Sequence, residues 1–241
     1  MTYTIQNQSY GNSVVDIYMP YWSKKPWPCI FSIHGGGWAI GNEDEGPTIE
    51  HAKKLVSHDF MIVSVRYSLA PDNKWPTQLI DTFEAINFIR TGQYSKYIGK
   101  CGLIGASAGA HIAAMAMNVR TFMPSVLLYG PYDLAKFKIE SRWVYDLYVP
   151  QCFGTLQDSK SPFNRVPPAN LLKPTLLIHG KKDLAVDYNQ SVRYHQKLKA
   201  VNDKSELILI DNADHCLTHA SQSDLDMVDA KILDFFSQNL K

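Results

Sequence analysis

Short runs of apolar and β-branched residues alternate with stretches of helical periodicity along nearly the whole chain. Residues 14–19 read as an early strand, and residues 29–33 as a second strand that runs straight into His34-Gly35-Gly36-Gly37. Residues 50–58 have helical spacing and residues 61–67 are apolar and β-branched. Residues 78–89 set Leu79, Phe83, Ile86 and Ile89 on one helical face. Residues 101–105 predict a short buried strand, followed at once by a helix over 107–118 that is rich in Ala and Met. Three further strands are expected at 125–129, 175–178 and 206–210, with the last two helices at 189–199 and 225–236. Such alternation predicts the α/β class, a mainly parallel sheet flanked by helices.

One region breaks the rhythm. Residues 131–172 contain Trp143, Tyr145, Tyr148, Pro150, Phe153, Phe163 and the pair Pro167-Pro168 without clear alternation. Insertions of this length in compact domains are mostly lids or binding loops, so a cap over a site is expected here, against the plainer reading of a packed excursion. With 241 residues, the chain is expected to form a single domain over 1–241 that carries this insertion at about 131–172.

Charge narrows the function. Lys plus Arg number 24 and Asp plus Glu 23, a net charge of +1, so no field gathers nucleic acid or anionic lipid. The longest apolar stretch, 103–117, is interrupted by Ser107 and His111 and is too short and too polar to span a membrane. Residues 1–20 hold no Lys or Arg and no apolar leader core, which leads to the expectation of a cytoplasmic protein. Cys29, Cys101, Cys152 and Cys216 are widely spaced and indicate neither a zinc knuckle nor a disulfide framework. Nothing indicates a homodimer.

The chemistry concentrates at strand ends. Gly105-Ala106-Ser107-Ala108-Gly109 is a G-x-S-x-G sequence between a predicted strand and a predicted helix, where the serine is held on a sharp turn whose neighbours must be small. The bare motif can equally be a small-residue packing turn; its context favours a nucleophile. His34-Gly35-Gly36-Gly37-Trp38 ends an upstream strand, where an oxyanion donor loop is expected, and the N–H of Ala108 would be the second donor. Asp183, in a loop past the 175–178 strand, is the candidate acid, with Asp187 as rival. His215, just past the 206–210 strand, is the candidate base, with His219 as rival. His51, His58 and His195 lie on predicted helices and read as solvated face residues, while His179 shapes the acid loop. His111, one turn beyond Ser107, suits packing, and His34 suits hydrogen bonding within the glycine loop. No paired histidines stand beside a carboxylate, so no metal site is expected.

These residues resemble the hormone-sensitive-lipase-like esterases of the α/β-hydrolase superfamily, together with the neighbouring small acetylxylan- and feruloyl-esterase-like enzymes. The marks are His34 to Trp38 with Gly41, Tyr67 to Pro71 before Asp81, Ser107-Ala108-Gly109 with His111, Ser161-Pro162, Asp183 and His215. The resemblance implies an α/β-hydrolase fold, a triad of Ser107, Asp183 and His215, and oxyanion-hole amides at Gly36, Gly37 and Ala108. It further implies a serine carboxylesterase that hydrolyses short-chain acyl esters through an acyl-enzyme, with acetylated or aryl-acylated carbohydrates as a substrate class. The only partner expected is the small-molecule ester, and no cofactor is implied. An amidase or aryl formamidase would use the same triad. A non-catalytic binding homologue is disfavoured by the presence of His215. Three positions depart from the family pattern: Ser68 stands where Arg is common, Ala106 where many members have an acidic residue, and Ala110 where a third Gly is frequent. Because the glycine loop begins at His34, no two-helix N-terminal cap is expected, and the 131–172 insertion is left as the cover of the pocket.

Overall fold

The computed structural model describes residues 3–11, 13–21, 24–44, 46–121, 123–155 and 158–241. Eight strands form one sheet in the order β1-β2-β4-β3-β5-β6-β7-β8. They are β1 (Tyr3–Tyr10), β2 (Ser13–Pro20), β3 (Trp27–Ile33), β4 (Met61–Val65), β5 (Ile98–Ala106), β6 (Ser125–Leu128), β7 (Thr175–Gly180) and β8 (Ser205–Ile210). β1 and β2 pair antiparallel, β2 meets β4 antiparallel, and every pairing from β4 to β8 is parallel. The expected α/β architecture is therefore present, with antiparallel β1 and β2 added at one edge.

Alternation along the central strands builds two cores. Phe31, Leu103, Leu127 and Leu177 point into one apolar cluster, while their neighbours Ile30, Ile104, Val126 and Leu176 point into the other. A parallel strand covered on both faces needs apolar residues at consecutive positions, which is why these runs read as continuous apolar segments. Helices α1 (Pro47–Val56) and α7 (Gln222–Leu240) cover the second face through Leu55, Val228 and Phe236. Helices α2 (Thr77–Thr91), α3 (Ala108–Ala116) and α6 (Asn189–Lys199) cover the first through Ile86, Ile112 and Tyr194. Helix α3 continues into a π-helical turn over Met117–Thr121.

Between β6 and β7 the chain forms α4 (Leu134–Glu140) and α5 (Arg142–Phe153) before returning through short 3₁₀ turns. This is the stretch that carries no sequence rhythm; its residues 156–157 lie outside the described residues. Asp133 caps α4 by accepting the N–H of Lys136 at 3.1 Å, and Ser141 separates the two helices. Among the described residues no helix is long and apolar enough to cross a membrane.

Candidate active site

Four connections leave the C-terminal ends of β3, β5, β7 and β8 on the same side of the sheet and carry the predicted site residues. Ser107 occupies the turn between β5 and α3 with φ 53° and ψ −121°, a strained backbone for a residue with a side chain. Small neighbours make that turn possible. A Cβ at Gly109 would collide with the carbonyls of Ile33 and His34, so the start of α3 lies directly against the end of β3 and sets Ser107 beside the glycine loop.

That loop is braced from below. His34 Nδ1–H donates to the Gly35 carbonyl at 2.8 Å, and the Tyr67 hydroxyl donates to the same oxygen at 2.9 Å. The two rings stack with centroids 4.0 Å apart. Burial pushes the His34 imidazole down to about 4, so it is neutral near pH 7. Gly36, at φ 101°, lets its carbonyl accept from Ala39 and Ile40 at 3.0 and 2.9 Å. Among the described residues the N–H groups of Gly36 and Gly37 donate to no backbone acceptor, and both residues line the pocket. Ala108 is the first residue of α3, where a helix leaves its N–H groups unpaired and partly positive. Where the resemblance leads to Arg, the backbone N–H of Ser68 donates to Asp81 at 2.6 Å.

Ser107, His215 and Asp183 come together. His215 Nε2 is 3.1 Å from Ser107 Oγ, and His215 Nδ1 is 2.7 Å from Asp183 Oδ2. The carboxylate can only accept, so the proton sits on Nδ1 and Nε2 is left to accept from the serine hydroxyl. Asp183 Oδ1 accepts the N–H groups of Ala185 and Val186 at 2.8 Å each. Burial alone would raise the Asp183 carboxyl, but hydrogen bonds from His179 and His215 outweigh it and hold the group at about 2. The rivals lie elsewhere. Asp187, two residues before α6, accepts the N–H of Asn189 at 2.8 Å, and His219 is exposed beyond the His215 turn.

The remaining histidines divide. His111 is fully buried, donates to the Lys160 carbonyl at 2.8 Å and packs edge-on against Trp38, Trp75 and Phe153, which is a packing role. His51 is a correction to the expectation of a solvated face residue. It is buried and its Nδ1 lies 2.6 Å from Asp229 of α7, a partner 178 residues away for which no local pattern exists.

The pocket above Ser107 has a volume of about 550 Å³. Trp143, Val144 and Tyr148 of α5 form one wall; Ile40, Pro47 and Thr48 form another, and Tyr129, Ala185, Val186 and Cys216 complete it. The Tyr148 ring lies over Gly37, where a Cβ would meet it at 2.5 Å. Trp143 donates its indole N–H to the Leu184 carbonyl at 3.2 Å while remaining 63% exposed. Tyr129, at φ 40°, sets its ring edge-on to His215 with centroids 5.1 Å apart. Sequence reasoning does not single it out, because an isolated aromatic residue after a strand looks like ordinary core. Among the described residues no group of three His, Cys, Asp or Glu side chains is placed to hold a metal ion.

Comparison with known proteins adds a family. The BD-FAE family model matches residues 15–172, about two thirds of the chain. An isoprenylcysteine alpha-carbonyl methylesterase of Arabidopsis thaliana is 24% identical over 233 residues, covering 83% of this chain and 53% of that protein. A kynurenine formamidase of Danio rerio is 31% identical over 145 residues, 56% of this chain and 48% of that protein. The chain spans about half the length of these relatives. Among solved structures, a truncated form of carbohydrate esterase from gut microbiota superposes with a TM-score of 0.82 at 20% identity, over 99% of this chain and 97% of its own. That likeness bears out the expected α/β-hydrolase fold.

Proposed function

This chain belongs to the BD-FAE family of the α/β-hydrolase superfamily, and from that premise we propose that it is a serine carboxylesterase acting on short-chain acyl esters through an acyl-enzyme. One observation carries the reading: the continuous hydrogen-bonded path from Ser107 Oγ through His215 to Asp183, at 3.1 and 2.7 Å, opening into the pocket. His215 Nε2 takes the serine proton as Oγ attacks the ester carbonyl, and the tetrahedral oxyanion is held by the N–H groups of Gly36, Gly37 and Ala108. The resulting imidazolium faces the ionised Asp183. It then returns its proton to the departing alcohol, and a second cycle with water releases the acid.

Substrate choice follows from the cover of the pocket. Among the described residues the lid reaches the cavity through Trp143, Val144 and Tyr148 of α5, which leaves it partly open, and each CH₂ of an acyl chain contributes about 0.8 kcal/mol only when covered. The exposed face of Trp143 at the rim suits a bulky alcohol such as a sugar. Acetyl to butyryl esters of carbohydrates, and aryl-acylated ones, are the proposed substrates. The test is a panel of p-nitrophenyl esters of rising chain length with acetylated and feruloylated sugars. The reading expects kcat/KM to fall beyond about six carbons; a rate that climbs steadily to decanoyl esters overturns it.

The likeness to a kynurenine formamidase favours one second reading, cleavage of an aryl formamide by the same three residues. N-formylkynurenine set against an aryl ester separates the two.

A further inference from the structure

Asp183 has one side-chain partner more than the serine path uses. His179 lies near the end of β7, is wholly buried, and brings Nε2 to 3.1 Å from Asp183 Oδ2, the same oxygen that faces His215. The same Nε2 is 2.9 Å from the Val186 carbonyl, and Nδ1 is 2.7 Å from the Ser191 hydroxyl at the start of α6. Carboxylate and carbonyl oxygens only accept, so Nε2 carries the proton and Nδ1 is left to accept from Ser191. Two backbone N–H groups already hold Oδ1. With both histidines on Oδ2, all four acceptor directions of the carboxylate are used, and a chain of side chains runs Ser191, His179, Asp183, His215, Ser107 from α6 to the nucleophile.

Deepening the esterase reading on which it rests, we propose that His179 is a positioning residue: it pins Asp183 Oδ2 in the orientation that meets His215 Nδ1, and Ser191 sets the His179 ring for that task. The carboxylate held only through Oδ1 could pivot about its side-chain torsion and lose the imidazole. Held through both oxygens, it keeps His215 aimed at Ser107 before and after proton transfer. The hydrogen bond from His179 also favours the ionised carboxylate, consistent with the depressed titration of Asp183.

Replacing the histidine tests this in the full chain, with p-nitrophenyl acetate turnover and fluorophosphonate labelling as readouts. His179→Leu removes the donor and is expected to lower kcat by roughly 50-fold with KM within about twofold, and to slow labelling in parallel. His179→Gln can place an amide N–H between Oδ2 and the Val186 carbonyl and is expected to recover kcat to within about fivefold of the parent. Ser191→Ala frees the ring and is expected to cost kcat roughly threefold. The proposal is overturned if His179→Leu keeps kcat within twofold, if its loss lies in KM, or if His179→Gln is as impaired as His179→Leu. Should the leucine variant not fold, an unchanged kcat in Ser191→Ala overturns it as well. Failure of the esterase reading is told apart by the parent protein. Unlabelled parent chain sinks that reading, whereas a normally labelled parent with an equally labelled His179→Leu sinks only the role of His179.

Discussion

The Asp183 loop and the α5 lid border one pocket and are built on opposite terms. In the loop, Asp183 is 6% exposed and both of its oxygens are bonded, to backbone N–H groups on one side and imidazoles on the other. On the lid, Trp143 is 63% exposed and Leu147 47%; the Trp143 indole donates to the Leu184 carbonyl, and Ser141 at the start of α5 accepts the N–H of Asp187. Saturated bonding fixes a group within a fraction of an ångström, which proton transfer requires. An exposed apolar face suits contact with substrates of varied shape. The difference separates the turnover rate from recognition in space, so substitutions on the two sides are expected to separate in kcat and KM.

The sharpest break in that division is Ser107→Ala, which is expected to lower kcat on the order of 10⁴-fold or more while the melting temperature stays unchanged, because only the nucleophile is lost. Residual kcat near a tenth of the parent in a stopped assay would remove the serine from its role. His215→Ala is expected to be comparably severe, and His219→Ala mild. Asp183→Asn is expected to cost roughly 10³- to 10⁴-fold in kcat through the wrong imidazole tautomer, and Asp187→Asn less than about twofold. Steady-state kinetics of the pair that gave the reverse order would move the acid to Asp187.

The same carboxylate predicts a pH dependence of stability. Its titration in the folded protein, near 2, lies below the ordinary 3.8. A depressed carboxyl adds stability that is present above its unfolded value and is lost as pH falls through the folded one, here between about pH 4 and pH 2, with an upper size of about 2 kcal/mol. Urea midpoints measured across that window are expected to fall more steeply for the parent than for Asp183→Asn. Equal slopes would show that the four bonds do not hold the charge.

On the lid side the expected effects are smaller. Trp143→Ala is expected to raise KM for a bulky-alcohol ester by about fivefold, with kcat within twofold and labelling by fluorophosphonate unchanged. A fall in kcat instead would mean that the tether to Leu184 also positions the acid loop, and the division between the two regions would then be one of degree.

The same contrast decides what could be read from sequence. The strands β3 to β7 are legible because parallel strands buried on both faces need consecutive apolar residues, the edge strand β8 is legible from its run Leu207-Ile208-Leu209-Ile210, and Ser107, Asp183 and His215 are legible because each lies in the connection that follows a strand. β1 goes unread: Tyr3–Tyr10 is an edge strand with mostly exposed side chains, so Gln6, Asn7 and Gln8 give it no apolar alternation. The helices α4 and α5 go unread because α5 leaves Trp143 and Leu147 in solvent and carries Pro150 in its last turn, so its apolar residues form no single stripe. His51 is misread since its carboxylate lies on α7, 178 residues away, and contacts between distant segments leave no local spacing.

The order of the site residues along the chain has a consequence for biosynthesis. β5 delivers Ser107 early, β7 delivers Asp183, and His215 follows only after β8, whose outer edge closes the sheet. A chain that has emerged only through β7 lacks His215, so under the proposed triad Ser107 has no base to take its proton. Under the proposed triad, ester turnover would thus report that β8 and the loop after it have taken their places beside β7.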